Sequence, residues 1–223
     1  MTMRLTTRIL SILTALLLAA CAHRPSGEPT ESLGDKTKGV IAASTTYTDG
    51  TRTLDSWFYI RKKGESNKDN FIRLSAKPPA STGSGLLALT LSTIGTHSIG
   101  DFPDTPDHSG RVLSVQLEPG EYELYSWTIY VQAVNGYGYI SPKAPPTPLP
   151  FQVQAGVITY LGNLHGQTVM GQNVFGMDVP GGGIPSITDR LERDKPMLKA
   201  KFPMLQDWPI TSANLNGKEW AQQ

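Results

Sequence analysis

The sequence predicts a mainly β fold: two antiparallel sheets packed as a sandwich, closed by a short helical C-terminal tail. Three observations carry this. Short apolar runs alternate with polar residues along much of the chain. The 223 residues include 22 Gly and 17 Pro, and these punctuate the runs often enough to favour strands and turns over long helices. Charged residues make up only 17%, and helix signals are confined to the C-terminal part.

Residues 1–20 have the build of an export signal. Arg4 and Arg8 give a basic start with no acidic residue, and Ile9–Ala20 is an apolar run broken only by Ser11 and Thr14. The run fits a signal core of roughly 7–15 residues and falls short of the about 20 needed to span a bilayer. Leu18-Ala19-Ala20-Cys21 follows. This segment resembles a lipobox, where bacterial signal peptidase cuts before a cysteine that then carries lipid. Cys21 is the single cysteine of the chain, so it has no disulfide partner within the chain, and lipidation accounts for it. An ordinary signal peptide with a chance cysteine is the competing reading. Ala22, rather than Asp, follows Cys21. By the resemblance to enterobacterial lipoproteins, this implies the outer membrane, facing the periplasm. Residues 21–38 then read as the lipidated Cys and a flexible tether, polar and turn-rich, with little apolar surface to offset ordering entropy.

The sandwich is expected over residues 39–180. Val40–Tyr47 is β-branched and Thr-rich, Leu54–Ile60 is aromatic, and Asp49-Gly50 supplies a turn between them. Phe71–Leu74 and Leu86–Ile94 continue the series. In 111–117, Leu113, Val115 and Leu117 share one face against Ser114 and Gln116. Pro119-Gly120 suits a type II turn, whose twist matches a tight hairpin poorly, so the chain is expected to pass between sheets there. Over Tyr122–Val134 the apolar phase shifts from Tyr122 and Leu124 to Tyr125, Trp127, Ile129 and Val131, as a bulge or burial on both faces would produce. Gly136–Ile140 follows. Pro142–Pro150 then holds five prolines in nine residues and reads as an extended connection along an edge. Phe151–Gln154 alternates, Val157–Leu164 is apolar on both faces as a central strand would be, and Gln172–Val179 closes the set.

Residues 181–223 read as a Gly-rich hinge and the helical tail. Gly181–Gly183 breaks the pattern, Ser186-Ile-Thr-Asp189 has capping-box form, and Asp194-Lys195-Pro196 could cap a second short helix that Phe202-Pro203 ends.

Leu117-Glu-Pro-Gly-Glu-Tyr-Glu-Leu124 resembles the L-x-P-G-x-Y-x-L strand–turn–strand of prealbumin-like modules, which include the carboxypeptidase-regulatory-like and Cna-B-like domains. Phe151-Gln-Val-Gln-Ala-Gly-Val-Ile-Thr-Tyr-Leu161 adds an F-x-V-x-A-G-x-x-x-Y-L pattern. Together they resemble bacterial lipoproteins of the DUF2846 type over about a quarter of the chain, 111–164. The resemblance implies a prealbumin- or Ig-like sandwich. Its motifs encode turns and core positions and carry no chemistry.

Without residues 1–20 the remaining 203 residues carry a formal net charge of −1, since two of the 20 basic residues and none of the 19 acidic ones leave with the signal. Near-neutrality without a basic cluster excludes a nucleic-acid partner. Arg61-Lys62-Lys63 reads as a strand end entering a solvated turn. Asp101, Asp104, Asp107 and His108 are candidate metal ligands, though their spacing departs from the EF-hand loop and a solvated acidic turn explains them as well. His97 and Ser98, adjacent on a strand, would point to opposite faces, so His97 could not activate Ser98. Gly171 and Gly176 have P-loop spacing but lack its Lys.

Tyr47, Trp57, Tyr59, Tyr125, Trp127, Tyr130, Tyr137 and Tyr139 are either core and cross-strand pairs or a platform for sugars. Tyr137 and Tyr139, set between glycines, are the expected exposed ones and the candidate ligand loop. The sequence thus reads as a non-enzymatic cell-envelope lipoprotein, held by its lipid, presenting loops or an edge to an envelope protein or peptidoglycan, without cofactor. The alternative is a ligand-binding module for glycan or metal.

Overall fold

The computed structural model of the protein describes residues 33–65, 70–77, 100–102, 108–133 and 136–215. Cys21 with the signal and most of the tether, the expected strand at 86–94, His97, Ser98, Asp104 and Asp107 lie outside them.

Among the described residues the chain is mainly β, with strands in two five-stranded sheets. The strands are β1 (Gly39–Thr48), β2 (Thr53–Lys62), β3 (Ile72–Ser75), β4 (His108–Leu117), β5 (Gly120–Ala133), β6 (Gly136–Ile140), β7 (Leu149–Val153), β8 (Ile158–Gln172), β9 (Asp178–Thr188) and β10 (Ile210–Ser212). One sheet runs β10-β8-β1-β4, with β9 also on β8. The other runs β3-β2-β5-β6, with β7 also on β5. The chain crosses from the first sheet to the second at Pro119-Gly120, between β4 and β5, as the turn chemistry predicts.

The first sheet is mixed rather than antiparallel. β1 and β10 both run parallel to β8, while β4 and β9 pair antiparallel. β1 and the 158–164 part of β8 have no exposed side, being buried on both faces as strands of a covered, partly parallel sheet are. Ile41, Ala43, Leu161 and Leu164 face the second sheet and join Phe58, Ile60, Leu124, Trp127, Ile129 and Val131 in one cluster. Val40, Ala42, Ile158 and Tyr160 face the other way. They meet Leu198, Phe202, Leu205 and Trp208, brought by the helix α1 (Leu191–Lys201) and the turn after it. The body therefore has three layers: second sheet, first sheet, helix.

Two corrections to the sequence reading sit in the last third. Gly181–Gly183 is no hinge but the middle of β9: Gly183 and Gly182 pair with Thr168 and Val169 of β8, and Gly181 sits at a bulge. A Cβ on Gly183 would lie 2.8 Å from Ile129 Cδ1 and 3.0 Å from Trp127 Cζ3, so glycine is selected by close approach to the second sheet. Among the described residues the tail has one α-helix, with Pro196 inside it, then a 3-10 turn at Pro203–Leu205, and the chain returns to the first sheet as β10. Ser186 belongs to β9. Arg190 stands at the N-cap without a side-chain cap bond, and the first helical amide, Leu191 N–H, donates instead to Asp189 Oδ1 at 2.9 Å.

The helix is fixed by a buried carboxylate. Asp194, 1% exposed, accepts Ser44 Oγ at 2.6 Å, Tyr160 OH at 2.5 Å and Arg193 Nε at 2.7 Å. Asn163 Nδ2 extends the network to Ser44 Oγ at 2.9 Å. Burial, and then the bond to Asp194, push the Tyr160 phenol far above its usual range, so it remains a donor at any ordinary pH. Asn163 and Tyr160 both reach this face because β8 carries a bulge at Leu161-Gly162, with Gly162 at φ +108°.

Gly110 in β4 marks the tightest approach. A Cβ there would lie 2.1 Å from the Thr45 carbonyl oxygen of β1, an atom that cannot swing aside. Gly110→Ala is expected to lower unfolding free energy by about 1–3 kcal/mol in urea denaturation. Gly182→Ala, whose methyl would meet only Val169 at 4.0 Å, is expected to stay within about 0.5 kcal/mol. Equal stability of the two variants would refute this packing.

Candidate functional site

The outward face of the second sheet carries the candidate site, and its construction starts in β2. Strand alternation sends Phe58 and Ile60 inward and Trp57, Tyr59 and Arg61 outward. β5 would leave this register halfway, but Tyr125 is left unpaired between Tyr59↔Ser126 and Ile60↔Leu124. This bulge lets Tyr122 and Leu124 on one side of it, and Trp127, Ile129 and Val131 on the other, all face the core. Ser126, Thr128 and Tyr130 then stand outside beside Trp57 and Tyr59. β6 adds Tyr139 opposite Tyr130, and Tyr137 opposite Gln132.

The rings touch. Trp57 stacks on Tyr130 at 5.9 Å between centroids and lies 5.6 Å from Tyr139. Tyr130 stacks on Tyr139 at 5.1 Å and sits 5.6 Å from Tyr137. Tyr59 meets Phe71 edge-on at 5.4 Å and Tyr125 at 6.3 Å. Such pairs contribute about 0.5–1.5 kcal/mol each beyond their area burial. Arg73 covers Trp57 at 4.7 Å and Arg61 covers Tyr125 at 4.5 Å. Hydroxyls lie between the rings, with Thr128 Oγ1 and Ser141 Oγ 2.9 Å apart. Tyr137 and Tyr139 remain 70% and 65% exposed.

Of the eight aromatics singled out by sequence, six share this face. Tyr47 and Trp127 are buried at 4% and 5% exposure. Tyr137 and Tyr139 are exposed as expected, but they stand on strand β6 rather than in a loop. Burial among neighbouring groups raises the pKa of Tyr125 and Tyr130, so both offer neutral O–H donors at physiological pH.

The proline-rich segment adds a wall. β6 and β7 both pair with the same edge of β5, one at 129–133 and the other at 120–124. The chain between them passes the bulge, where prolines have no N–H to donate. A groove of about 470 Å³ opens between Pro142–Pro148 and Arg61, Tyr125 and Ser126. Arg61 is paired with Glu123 at 2.6 Å, which holds the guanidinium flat against Tyr125.

Asp55 was not legible as a functional residue. It is 7% exposed and lies behind the face. Its Oδ2 accepts Trp57 Nε1 at 2.6 Å and Ser75 Oγ at 2.7 Å; its Oδ1 accepts the amides of Ser56 and Lys77 at 2.8 and 3.1 Å. The carboxylate thereby fixes the indole plane. The local pattern Asp-x-Trp at i, i+2 on one strand face is the sequence signal that could have shown it.

The acidic segment gives a different result. Asp101 Oδ2 accepts Lys201 Nζ at 2.6 Å and the Val112 amide at 2.8 Å. It ties α1 to β4, and a cation already occupies its carboxylate. His108 opens β4, its backbone paired with Thr48. Among the described residues no group of three or more His, Cys, Asp or Glu is placed to hold a metal.

Comparison with protein-family models, with curated proteins and with solved structures returns no match to this chain.

Asp55→Asn puts an amide N–H₂ where donors converge. It is expected to lower stability by about 1–3 kcal/mol, the cost of leaving buried donors unpaired. Burial raises the Asp55 pKa in the folded state, so the folded protein holds this proton to higher pH than the unfolded chain does. The wild-type contribution therefore falls as pH rises from the ordinary value of 3.8 through the folded one. The deficit of the variant, measured by denaturation, should be larger at pH 4 than at pH 7. A deficit growing with pH would reverse the assignment.

Proposed function

We propose that this protein is a lipid-anchored envelope module that binds a saccharide on the aromatic face of its second sheet. The observation that carries the reading is the shared face: seven aromatic rings with Phe71 included, interleaved hydroxyls of Ser126, Thr128 and Ser141, and Arg61 and Arg73 lying on the rings. A sugar ring has apolar C–H faces that stack on aromatics and equatorial hydroxyls that need polar partners. This face offers both on one side of the sheet. A module presenting loops or an edge to an envelope protein needs no such alternation of rings and hydroxyls, so the geometry favours the ligand-binding alternative over that reading.

Envelope placement is supported by the export signal, the lipobox at Cys21 and Ala22 after it. Among the described residues no helix is long and apolar enough to cross a membrane. We also read the two-sheet body as a prealbumin-like sandwich, which the sheet-to-sheet crossing at Pro119-Gly120 supports. The parallel β1–β8 pair departs from an all-antiparallel arrangement.

Titration of the full-length protein with muropeptides and other envelope glycans, followed by tryptophan fluorescence, tests the reading. Binding should quench or shift Trp57 emission. Replacing Tyr137 and Tyr139 together by Ala should weaken affinity about tenfold, or about 1.4 kcal/mol. The variant also loses the ring pairs of Tyr139 with Trp57 and Tyr130 and of Tyr137 with Tyr130, at about 0.5–1.5 kcal/mol of stability each, so affinity is measured where both proteins are fully folded. A protein that binds no saccharide, or binds equally well without both tyrosines, sinks the reading.

Cys21→Ser is expected to abolish metabolic lipid labelling and to leave unprocessed precursor on immunoblots. Normal processing of that variant would remove the lipobox from the argument.

A further inference from the structure

We propose that the tip of the β8–β9 hairpin is a lipid-contacting element, with Val174 and Phe175 entering the interfacial layer of a bilayer and Met177 beside them. The inference shares no residue with the saccharide face and stands without it.

The hairpin outgrows its sheet. β1 pairs with β8 only as far as Tyr47↔Gly166, yet β8 runs on to Gln172. Six further residues at about 3.3 Å each carry β8 about 20 Å beyond its last pair with β1, and the strand stands free after Thr168, which is still buried against Thr53 of β2. There Val174 is 94% exposed, Phe175 82% and Met177 46%. Single exposed apolar residues are ordinary, but adjacent ones at the outermost point of a projecting arm are not the usual solution for a solvated turn.

Four backbone amides of the turn are bonded within it. Asn173 Oδ1 accepts the amides of Phe175 and Met177 at 2.9 and 3.0 Å. The Gly176 amide donates to Asn173 O at 2.9 Å, and the Asn173 amide to Met177 O at 3.0 Å. Water would serve these groups at no cost if the turn stayed in solvent. In an apolar medium each unmade bond costs free energy, so internal closure is what entry requires.

Charge points the same way. Residues 166–188 contain no Lys or Arg, and Asp178 is their single ionised group. Protein interfaces are usually rimmed by polar and charged groups, with Arg enriched. This arm has no such rim, and its convex tip suits a fluid apolar layer better than a fitted pocket. Without cations, anionic headgroups have nothing to attract. Contact should therefore be insensitive to lipid charge and to salt.

The test uses the full-length chain with Val174→Cys, labelled with a nitrobenzoxadiazole dye and reconstituted in phosphatidylcholine vesicles. The unsubstituted chain, labelled in parallel, reports any reactivity of Cys21. The expected result is a blue-shifted emission, quenching by acyl-chain doxyl lipid, and a fall of about threefold or more in iodide quenching. These should persist when phosphatidylglycerol is added or salt is raised, and Phe175→Asp in the same chain should abolish them. Three results would each overturn the proposal. They are a dye fully open to iodide on vesicles, protection that appears without lipid as protein concentration rises (a second copy at the tip), or insertion that requires phosphatidylglycerol.

Discussion

One extra residue in β5 holds the molecule's two surfaces together. A strand of strict period two must give each face every second side chain. Without the bulge at Tyr125, either Tyr122 and Leu124 or Trp127, Ile129 and Val131 would turn outward, and the core between the sheets would lose half of its β5 contribution. With it, both sets face inward, and Ser126, Thr128 and Tyr130 align outward with Trp57 and Tyr59 of β2. The same residue sets the edge. β6 and β7 each pair with β5 on their own side of the bulge, so the polyproline segment must step across the gap, and the groove beside Tyr125 is the space it leaves. Core, aromatic face and groove are three readings of one local insertion.

The first sheet solves the opposite problem. It is covered on both faces, so its two central strands hold apolar residues at successive positions. Polar side chains remaining there must be paired. Asp194 shows how completely this is done: one carboxylate takes a serine, a tyrosine and an arginine. The network adds little net stability over an apolar contact, because desolvation offsets much of the attraction. What it adds is direction, since the helix can dock at one rotation and one height along β1 and β8. Asp55 plays the related part on the second sheet, where the group being oriented is Trp57.

Several elements were legible because their physics is local. β-branched and aromatic content marked β1 and β2, alternation marked β4 and β7, and the phase shift along β5 pointed to a bulge or to burial on both faces, of which the pairing shows the bulge. Pro119-Gly120 marked the crossing between sheets. Other features escaped for reasons that sequence does not hold. Gly181–Gly183 looks like a break, but Gly183 is glycine because Trp127 and Ile129 approach from the other sheet. Pro196 looks like the first turn of a new helix, but tertiary packing of Leu198 carries one helix through it. The site was half legible. Tyr137 and Tyr139 announced their exposure, whereas separating Tyr47 and Trp127 from the six outward rings required knowing which way each strand faces. Arg73 and Asp55 gained meaning only when β3 was placed beside β2.

The parallel pairing of β1 with β8 has a kinetic side. Val40 and Ile158 stand more than a hundred residues apart, yet they are neighbours in the ladder. Closing so long a loop gains nothing until the contact is made, and chains ruled by such distant pairings fold over about milliseconds to seconds. The central strand of the first sheet lies in about the last third of the sequence. A chain emerging from its N-terminus therefore has β1 available long before its partner exists, and cannot close its core early. For a chain exported as we propose, that delay keeps it threadable until nearly all of it has passed through the translocation channel.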